Sequence, residues 1–140
     1  FSGNNVDFLH LAFDDTTEES AFWAGITLPQ DYDGGTVTAK FCWIDTNAGG
    51  NVVWGIKGVA LTDGDGVGGQ AYGAEVTVSD TAAGTNNMRI SSASAAITLG
   101  GTPAAGNVAQ FVVSRKEADV GDTAVGDYKL VSLTITYTVS

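Results

Sequence analysis

The amino-acid sequence predicts an all-β protein, an antiparallel β-sandwich of about eight strands with jelly-roll or Greek-key connections. Three observations lead to this prediction. Apolar and polar residues alternate along several short segments. Turns rich in Gly, Asn and Asp separate these segments, and the chain has 19 glycines but only 2 prolines. No linker or internal repeat interrupts the 140 residues, so we expect residues 1–140 to form a single domain.

The clearest pair of strands flanks the turn PQDYDGG, in which Pro29 fixes φ while Gly34 and Gly35 permit positive φ. In the strand after this turn, alternation places four residues on the core face: Val37, Ala39, Phe41 and Trp43. In the strand before it, alternation predicts another four core residues: Phe22, Ala24, Ile26 and Leu28. Both strands therefore have one buried face.

Further strands are predicted on both sides of this pair. The first spans Val6–Phe13, and a third long strand spans residues 51–61, where Gly55 and Gly58 indicate a bulge or a close backbone approach. Shorter strand patterns follow near Val76, at Met88 before the run SSASAA, and at residues 108–117. The chain ends in an apolar comb: Val131, Leu133, Ile135, Tyr137 and Val139.

Charge excludes two classes of partner. The chain has 16 acidic and 6 basic residues, which gives a net charge of −10. A surface of this sign repels phosphate backbones and anionic lipid headgroups, so we expect neither nucleic acid nor membrane as a partner. No window approaches the roughly 20 apolar residues that a membrane-spanning helix needs.

The residues that catalysis requires are scarce, and we expect no catalytic residues and no enzymatic activity. Cys42 is the only cysteine and is interpreted as a small apolar filler. His10 is the only histidine and lies within a predicted strand, so no Ser-His-Asp relay is expected. The segment GDGVGG matches a dinucleotide-binding fingerprint in letters only, because a strand and not a helix follows it.

One weak metal candidate exists. Asp63 and Asp65 form a D-x-D pair in a glycine-rich loop, and carboxylates at this spacing can share a Ca²⁺ ion. The EF-hand frame beginning at Asp63 fails, since Val67 and Ala74 occupy ligand positions. We therefore interpret both aspartates as turn residues and expect no cofactor, with Ca²⁺ as the remaining alternative.

Exposed aromatic side chains could form a sugar-stacking platform. Alternation already assigns Trp43 and Trp54 to the core, which leaves Trp23 and Tyr32 as the aromatic candidates for ligand or subunit contact. Asp33, beside Tyr32 in the turn, is the third candidate. A glycan is therefore an alternative partner.

The ordered set of motifs resembles a domain that recurs in structural proteins of tailed phages. A strand ending in Pro29, a YDGG corner, a VVWG strand, a GTPAAG turn and the series FVVSRKEADVGDT occur in the order found in that family. The motif positions are Asp33, Gly34, Gly35, Trp54, Gly55, Pro103, Arg115, Asp119 and Asp122. The chain departs from the family between Asp63 and Gly69, where its loop is glycine-rich.

The resemblance implies a non-enzymatic virion protein, a capsid decoration or tail-associated subunit located in the extracellular particle. We expect it to work through contacts with copies of itself, with a trimer as the first expectation, and with other virion proteins. Two alternatives remain open. One is a carbohydrate-binding or receptor-binding module of a fibre, and the other is a subunit of a non-viral extracellular filament.

Overall fold

The alternating segments pair into two packed β-sheets in the computed structural model, which describes residues 9–140. The strands found there are β1 (Leu11–Phe13), β2 (Ser20–Thr27), β3 (Tyr32–Ile44), β4 (Ala48–Leu61), β5 (Val76–Ala83), β6 (Met88–Ile90), β7 (Gly100–Gly101), β8 (Val108–Arg115) and β9 (Tyr128–Val139). No helix in this part of the chain could cross a membrane. The predicted antiparallel β-sandwich is confirmed.

The strand order explains which edges the sandwich exposes. One sheet has the order β1-β9-β3-β6, and the other has the order β2-β8-β4-β5, with β7 pairing in parallel with β4. All other pairs are antiparallel. The side of the sandwich bounded by β2 and β9 is called the open side below.

Aromatic rings fill the space between the sheets. Trp54 on β4 lies at the centre, with ring centroids 5.4 Å from Phe13, 5.7 Å from Phe41 and 6.2 Å from Trp43. The predicted core face of β3 is confirmed, since its four residues are buried: Val37, Ala39, Phe41 and Trp43. Alternation predicted these four residues because one face of β3 packs on the other sheet without interruption from Val37 to Trp43.

The predicted core face of β2 is wrong in its first half. Ala21 and Trp23 pack against the core, while Phe22 is 63 % exposed on the opposite face. A β-bulge between Trp23 and Ile26 then shifts the alternation, so that Ile26 again points inward. Gly25 permits the bulge, because its φ is 74°, which disfavours residues with a side chain.

A second register shift divides β9. Trp43 pairs with Leu130 but Cys42 pairs with Ser132, which leaves Val131 without a counterpart. The core residues before this bulge are Tyr128 and Leu130, both fully buried. Of the predicted comb, Leu133, Ile135 and Tyr137 pack against the core after the bulge, while Val139 is 60 % exposed. From Ser132 to Tyr137 the strand is regular.

The glycines of β4 mark a close approach, as predicted. A Cβ atom at Gly58 would lie 2.6 Å from the Leu99 side chain and 2.9 Å from the Phe111 ring. The β4–β8 pairing continues without a register shift through this residue. Glycine is therefore required here by the packing of the core.

The free edge of β3 is covered by a segment that is not a strand. Beyond β6, the amides of Phe41 and Ala39 donate to the side-chain oxygens of Ser91 (2.9 Å) and Ser94 (3.0 Å). Val37 exchanges two backbone hydrogen bonds with Ile97. Residues spaced three apart in this segment, Ser91, Ser94 and Ile97, thus form hydrogen bonds with residues spaced two apart in β3. The partners are Phe41, Ala39 and Val37.

The first predicted strand is shorter than expected in the described residues. It was predicted for Val6–Phe13, but β1 begins at Leu11. Leu9 and His10 lie outside the strand, and residues 6–8 of the prediction lie outside the described residues.

Candidate functional site

The open side exposes apolar side chains from both sheets. Six core-facing residues of its edge strands are only partly buried: Ala21, Trp23, Ile26, Leu133, Ile135 and Tyr137. Neither β2 nor Val131–Val139 contains a charged residue. In a chain with a net charge of −10, this side is an uncharged apolar surface suited to protein contact.

A small apolar cleft lies at one end of the open side, where β1, β2 and β9 meet. Its volume is about 180 Å³, and it is lined by Leu9, His10, Leu11, Trp23, Leu130 and Val131. Leu9 is 96 % exposed at the mouth. Apart from His10 the lining is apolar, so the cleft suits an apolar side chain better than a charged group.

The structure brings Trp23 to this cleft and buries part of its ring. The bulge at Gly25 and the pairing of Trp23 with Phe111 turn the indole toward the core rim. Trp23 is therefore a rim residue of the open side. The neighbouring Phe22 is the more exposed ring, which the sequence pattern had assigned to the core.

Tyr32 is not an exposed aromatic, and this prediction was wrong. Tyr32 is 3 % exposed. Its ring packs edge-on against Tyr137, with the ring centroids 6.1 Å apart, and its hydroxyl donates a hydrogen bond to the Gly35 carbonyl. Burial, followed by the nearby Asp33 carboxylate, raises the pKa of Tyr32. Tyr32 closes the core beside the YDGG turn and offers no stacking face.

Asp33 is exposed, and its carboxylate forms a hydrogen bond within its own segment of the chain. Its Oδ1 accepts the Gly35 amide at 2.8 Å, an arrangement that stabilises the turn. Gly34 has a φ of 83°, and a Cβ atom there would lie 3.3 Å from the Pro103 carbonyl oxygen. The YDGG residues, which the sequence assigned to the turn, form the irregular start of β3 and pack against the GTPAAG turn, which brings two of the motifs into contact.

Asp63 and Asp65 lie in the turn after β4, beside an open groove of about 640 Å³. Asp65 accepts the Thr62 amide at 2.9 Å. Within residues 9–140, neither aspartate belongs to a group of three carboxylates close enough to share one ion. The structure thus gives Asp65 the turn-forming role that sequence analysis favoured.

A different acidic cluster lies near the start of β9. Oxygens of Asp14, Asp15 and Asp127 all lie within 4.8 Å of one another. Asp15 accepts the Gly126 amide at 2.6 Å, and hydrogen bonds from the hydroxyl and then the amide of Thr16 lower the pKa of Asp14. Sequence analysis missed this cluster because pairing of β1 with β9, and not sequence spacing, assembles it.

The most elaborate polar site is the buried ion pair of Arg115 and Asp122. Arg115 is fully buried, and two of its nitrogens contact the two oxygens of Asp122 at 3.1 and 2.8 Å. Its remaining donors reach the carbonyls of three residues: Phe13, Ala124 and Gly126. All five N–H donors of the guanidinium thus have acceptors.

Asp122 extends this site into β4. Its Oδ2 also accepts the Val53 amide at 2.9 Å, and the guanidinium lies 5.2 Å from the centre of the Tyr128 ring. The site therefore fixes the loop between β8 and β9 to three strands. With no donor left over and no opening to solvent, Arg115 has a structural role.

The two remaining candidates for chemistry lie in apolar surroundings. His10 lines the cleft, and the Cys42 sulfur contacts the Met88 sulfur at 3.2 Å. Cys42 is partly buried on the outer face of β3, as the strand alternation predicted.

Comparison with known proteins identifies no relative. No protein-family model matches the chain, and no curated protein or solved structure matches it. Among residues 9–140, the fold and the site define a β-sandwich with an apolar open side whose strand segments, β2 and Val131–Val139, carry no charge.

Proposed function

We propose that the chain is a non-enzymatic structural subunit of a tailed-phage virion, a capsid decoration or tail-associated β-sandwich that binds copies of itself and other virion proteins. The observation that carries this proposal is the open side. Its apolar residues and uncharged strands are features of a contact surface, while the rest of the chain carries the charge that keeps the subunit soluble.

The motif residues that resemble the phage domain support a structural role. Arg115 and Asp122 neutralise each other inside the protein, and Asp119 accepts the Gly121 amide at 2.7 Å. Trp54 forms the centre of the core. Each of these residues stabilises a turn, a loop or the core, which is what a rigid building block requires.

The proposal includes no cofactor. Asp14, Asp15 and Asp127 form the carboxylate group that a Ca²⁺ ion would favour in the described residues, and hydrogen bonds inside the protein already engage Asp14 and Asp15. Thermal unfolding in calcium and in chelator tests this part. A melting temperature that rises with calcium in the wild type but not in Asp127→Asn would add a metal to the proposal.

The experiment that tests the function is detection of the chain in purified particles of the phage that encodes it. Mass spectrometry of gradient-purified virions should find the chain at a fixed ratio to the major capsid protein. Immunogold labelling should then place it on the head or the tail. Absence from intact particles, with the protein present in the infected cell, would contradict the proposal.

Glycan binding is the competing outcome, and Trp23 provides its test. A glycan array probed with the wild type, Trp23→Ala and Phe22→Ala separates the two roles, because both rings lie on β2 but only Trp23 lines the cleft. We expect no binding that depends on Trp23. Binding lost in Trp23→Ala but kept in Phe22→Ala would identify a receptor-binding module instead.

A further inference from the structure

We propose that two copies of the chain bind end to end through a two-fold contact, in which Arg89 of each copy pairs with Glu117 of the other. The surface is called the loop end below and is formed by three reversals of the chain: residues 45–47, 84–87 and 116–127. The inference rests on the proposed function, because it adds a specific contact between subunits to the open side. It starts from two charged side chains that the fold leaves unpaired.

The three reversals lie together at one end of the sandwich. The backbone of Asp45, in the first reversal, accepts the Asn86 amide at 3.0 Å and donates to the Asn87 carbonyl at 3.1 Å in the second. The side chain of Asn47, also in the first, donates to the Val125 carbonyl at 3.0 Å in the third. The loop end is therefore one connected surface.

Arg89 is a cation without an anionic partner beside the second reversal. It lies on β6, where it pairs in register with Trp43, and it is partly exposed. Its Nε is shielded from solvent and has no hydrogen-bond partner. No ion pair engages it within residues 9–140. A guanidinium in this state is a strong binding site for a carboxylate.

Glu117 is the corresponding anion at the start of the third reversal. The amide of Lys116 donates to the Val53 carbonyl at 2.8 Å, which fixes the beginning of this loop on β4. Lys116 pairs with Glu18 and Glu75, not with its neighbour Glu117. Glu117 is partly exposed, and its shielded Oε2 has no hydrogen-bond partner. Its carboxylate is therefore available to a cation from outside the subunit.

The fold places the two charges at the same end but does not pair them. Trp43, the register partner of Arg89, donates its indole N–H to Asp80 at 2.9 Å, and Asp80 pairs with Val52 on β4. Val52 precedes the residue that anchors the start of the loop carrying Glu117. Arg89 and Glu117 thus lie at one level of the sandwich on different elements, and they form no ion pair with each other.

This arrangement selects a second copy as the partner. In an isologous contact, residue i of one subunit meets residue j of the other and the reverse. Two unpaired charges of opposite sign at one end satisfy this condition, so a single two-fold axis pairs both in each copy. A partner that supplied only one sign of charge would leave the other group unpaired. The contact gives a dimer in place of the trimer first expected from the sequence.

Apolar side chains accompany the two charges. Met88, which precedes Arg89, is 40 % exposed, and Val120, three residues after Glu117, is 96 % exposed. They supply the apolar area that a stable contact needs besides its ion pairs. The strand β1 (Leu11–Phe13) runs toward the loop end, because its last residue pairs with the first residue of β9.

The test measures dimerisation of the full chain by sedimentation equilibrium. Arg89→Glu and Glu117→Arg each oppose like charges at both symmetric contacts and should weaken dimerisation about tenfold or more. Lys40→Glu and Asp63→Arg make the same changes of charge at exposed residues outside the loop end. These matched controls should dimerise as the wild type does, and circular dichroism confirms that each variant is folded.

Mixing the two charge variants tests the pairing itself. Arg89→Glu carries two negative groups at the loop end and Glu117→Arg carries two positive groups. An equimolar mixture should form a heterodimer with the affinity of the wild-type dimer, and the double variant should dimerise with itself. A variant that had merely lost its fold would not be rescued by mixing. Failure of the mixture to associate would overturn the proposal, as would growth beyond two copies.

The remaining outcomes separate this contact from the proposed function. A wild type that is monomeric at every concentration, or trimeric, overturns the inference. A dimer that neither charge variant weakens uses another surface and overturns it as well. Presence of the chain in virions without a loop-end dimer removes this inference alone, while a loop-end dimer of a chain absent from virions removes only the proposed function.

Discussion

The Arg115 site and the outer edge of β9 differ in whether their hydrogen-bonding groups have partners inside the protein. All five donors of the buried guanidinium have acceptors inside the protein, and the Asp122 carboxylate that neutralises it also accepts a β4 amide. The edge of β9 from Ser132 to Val139 offers a row of backbone groups that no described strand satisfies. The first region is fully paired inside the protein, and the second has no strand partner on its outer edge among residues 9–140.

This difference shows where stability and assembly are separated in the molecule. Polar groups that enter the interior are costly unless they are fully paired, so Arg115 contributes only if its whole set of partners is present. Backbone groups at a solvated edge cost little, because water pairs with them until a strand replaces it. Substitutions at the two regions should therefore change different measured quantities.

The largest expected effect is at the buried ion pair. Asp122→Ala leaves the Arg115 charge and the Val53 amide without their carboxylate partner and should lower the free energy of unfolding by about 3–5 kcal/mol. Urea denaturation followed by tryptophan fluorescence measures it. Folded Asp122→Ala should still associate as the wild type does when the two are compared at low denaturant.

Asp119→Ala is the matched control for this prediction. Asp119 lies in the same loop and accepts one exposed amide, so its loss should cost about 1 kcal/mol or less. Equal losses in the two variants would show that the ion pair has no special importance.

A smaller effect is expected at the covered edge of β3. Ser91→Ala and Ser94→Ala each leave a buried strand amide without its acceptor, at a cost of about 1–3 kcal/mol. Ser92→Ala, at an exposed position between them, should be nearly neutral. Hydrogen exchange of the Phe41 and Ala39 amides should accelerate in the respective variants. Unchanged exchange would mean that another acceptor replaces the serine hydroxyl.

The smallest effect concerns Lys116, the partly exposed neighbour of Arg115. Its hydrogen bond to Glu18 at 2.8 Å raises the pKa of Lys116, with Glu75 at 3.1 Å adding to the effect and partial burial opposing it. A raised lysine pKa stabilises the fold below the ordinary value of 10.5, and this stabilisation is lost as the pH rises through the folded pKa.

Lys116→Met should therefore cost well under 1 kcal/mol at neutral pH, because the pair is partly exposed and solvent screens it. The difference from the wild type should disappear in strongly alkaline solution. Denaturation curves over a pH series measure this change, and a difference that grows with pH would contradict it. Together with Asp122→Ala, it compares a partly exposed ion pair with a buried one at adjacent residues, Arg115 at the end of β8 and Lys116 just after it.

The sequence predicted the elements whose alternation is continuous. β3 has one face against the core from Val37 to Trp43, so period two was enough to identify its buried residues. In β2 the same reasoning chose the wrong ring, because the bulge at Gly25 reverses the alternation within eight residues. Gly25 was visible in the sequence, but the sequence did not show that the alternation reverses there. It therefore could not indicate which residues of β2 face the core.

Long-range packing determined what the sequence could not predict about the site. Tyr32 is buried by Tyr137, which is distant in sequence and adjacent across the sheet. The pairing of Arg115 with Asp122 requires a loop that returns over β4, which the spacing of the motif does not reveal. The run SSASAA gave one signal, Ser91 and Ser94 three residues apart before Ile97, but that period belongs to no regular strand or helix.

The serine-lined segment over β3 has a consequence for growth. A filament that elongates by strand addition needs two receptive edges on each molecule, one to join and one to be joined. Residues 91–97 occupy the edge of β3 with side-chain acceptors, so a filament of this subunit could not grow by strand addition at that edge.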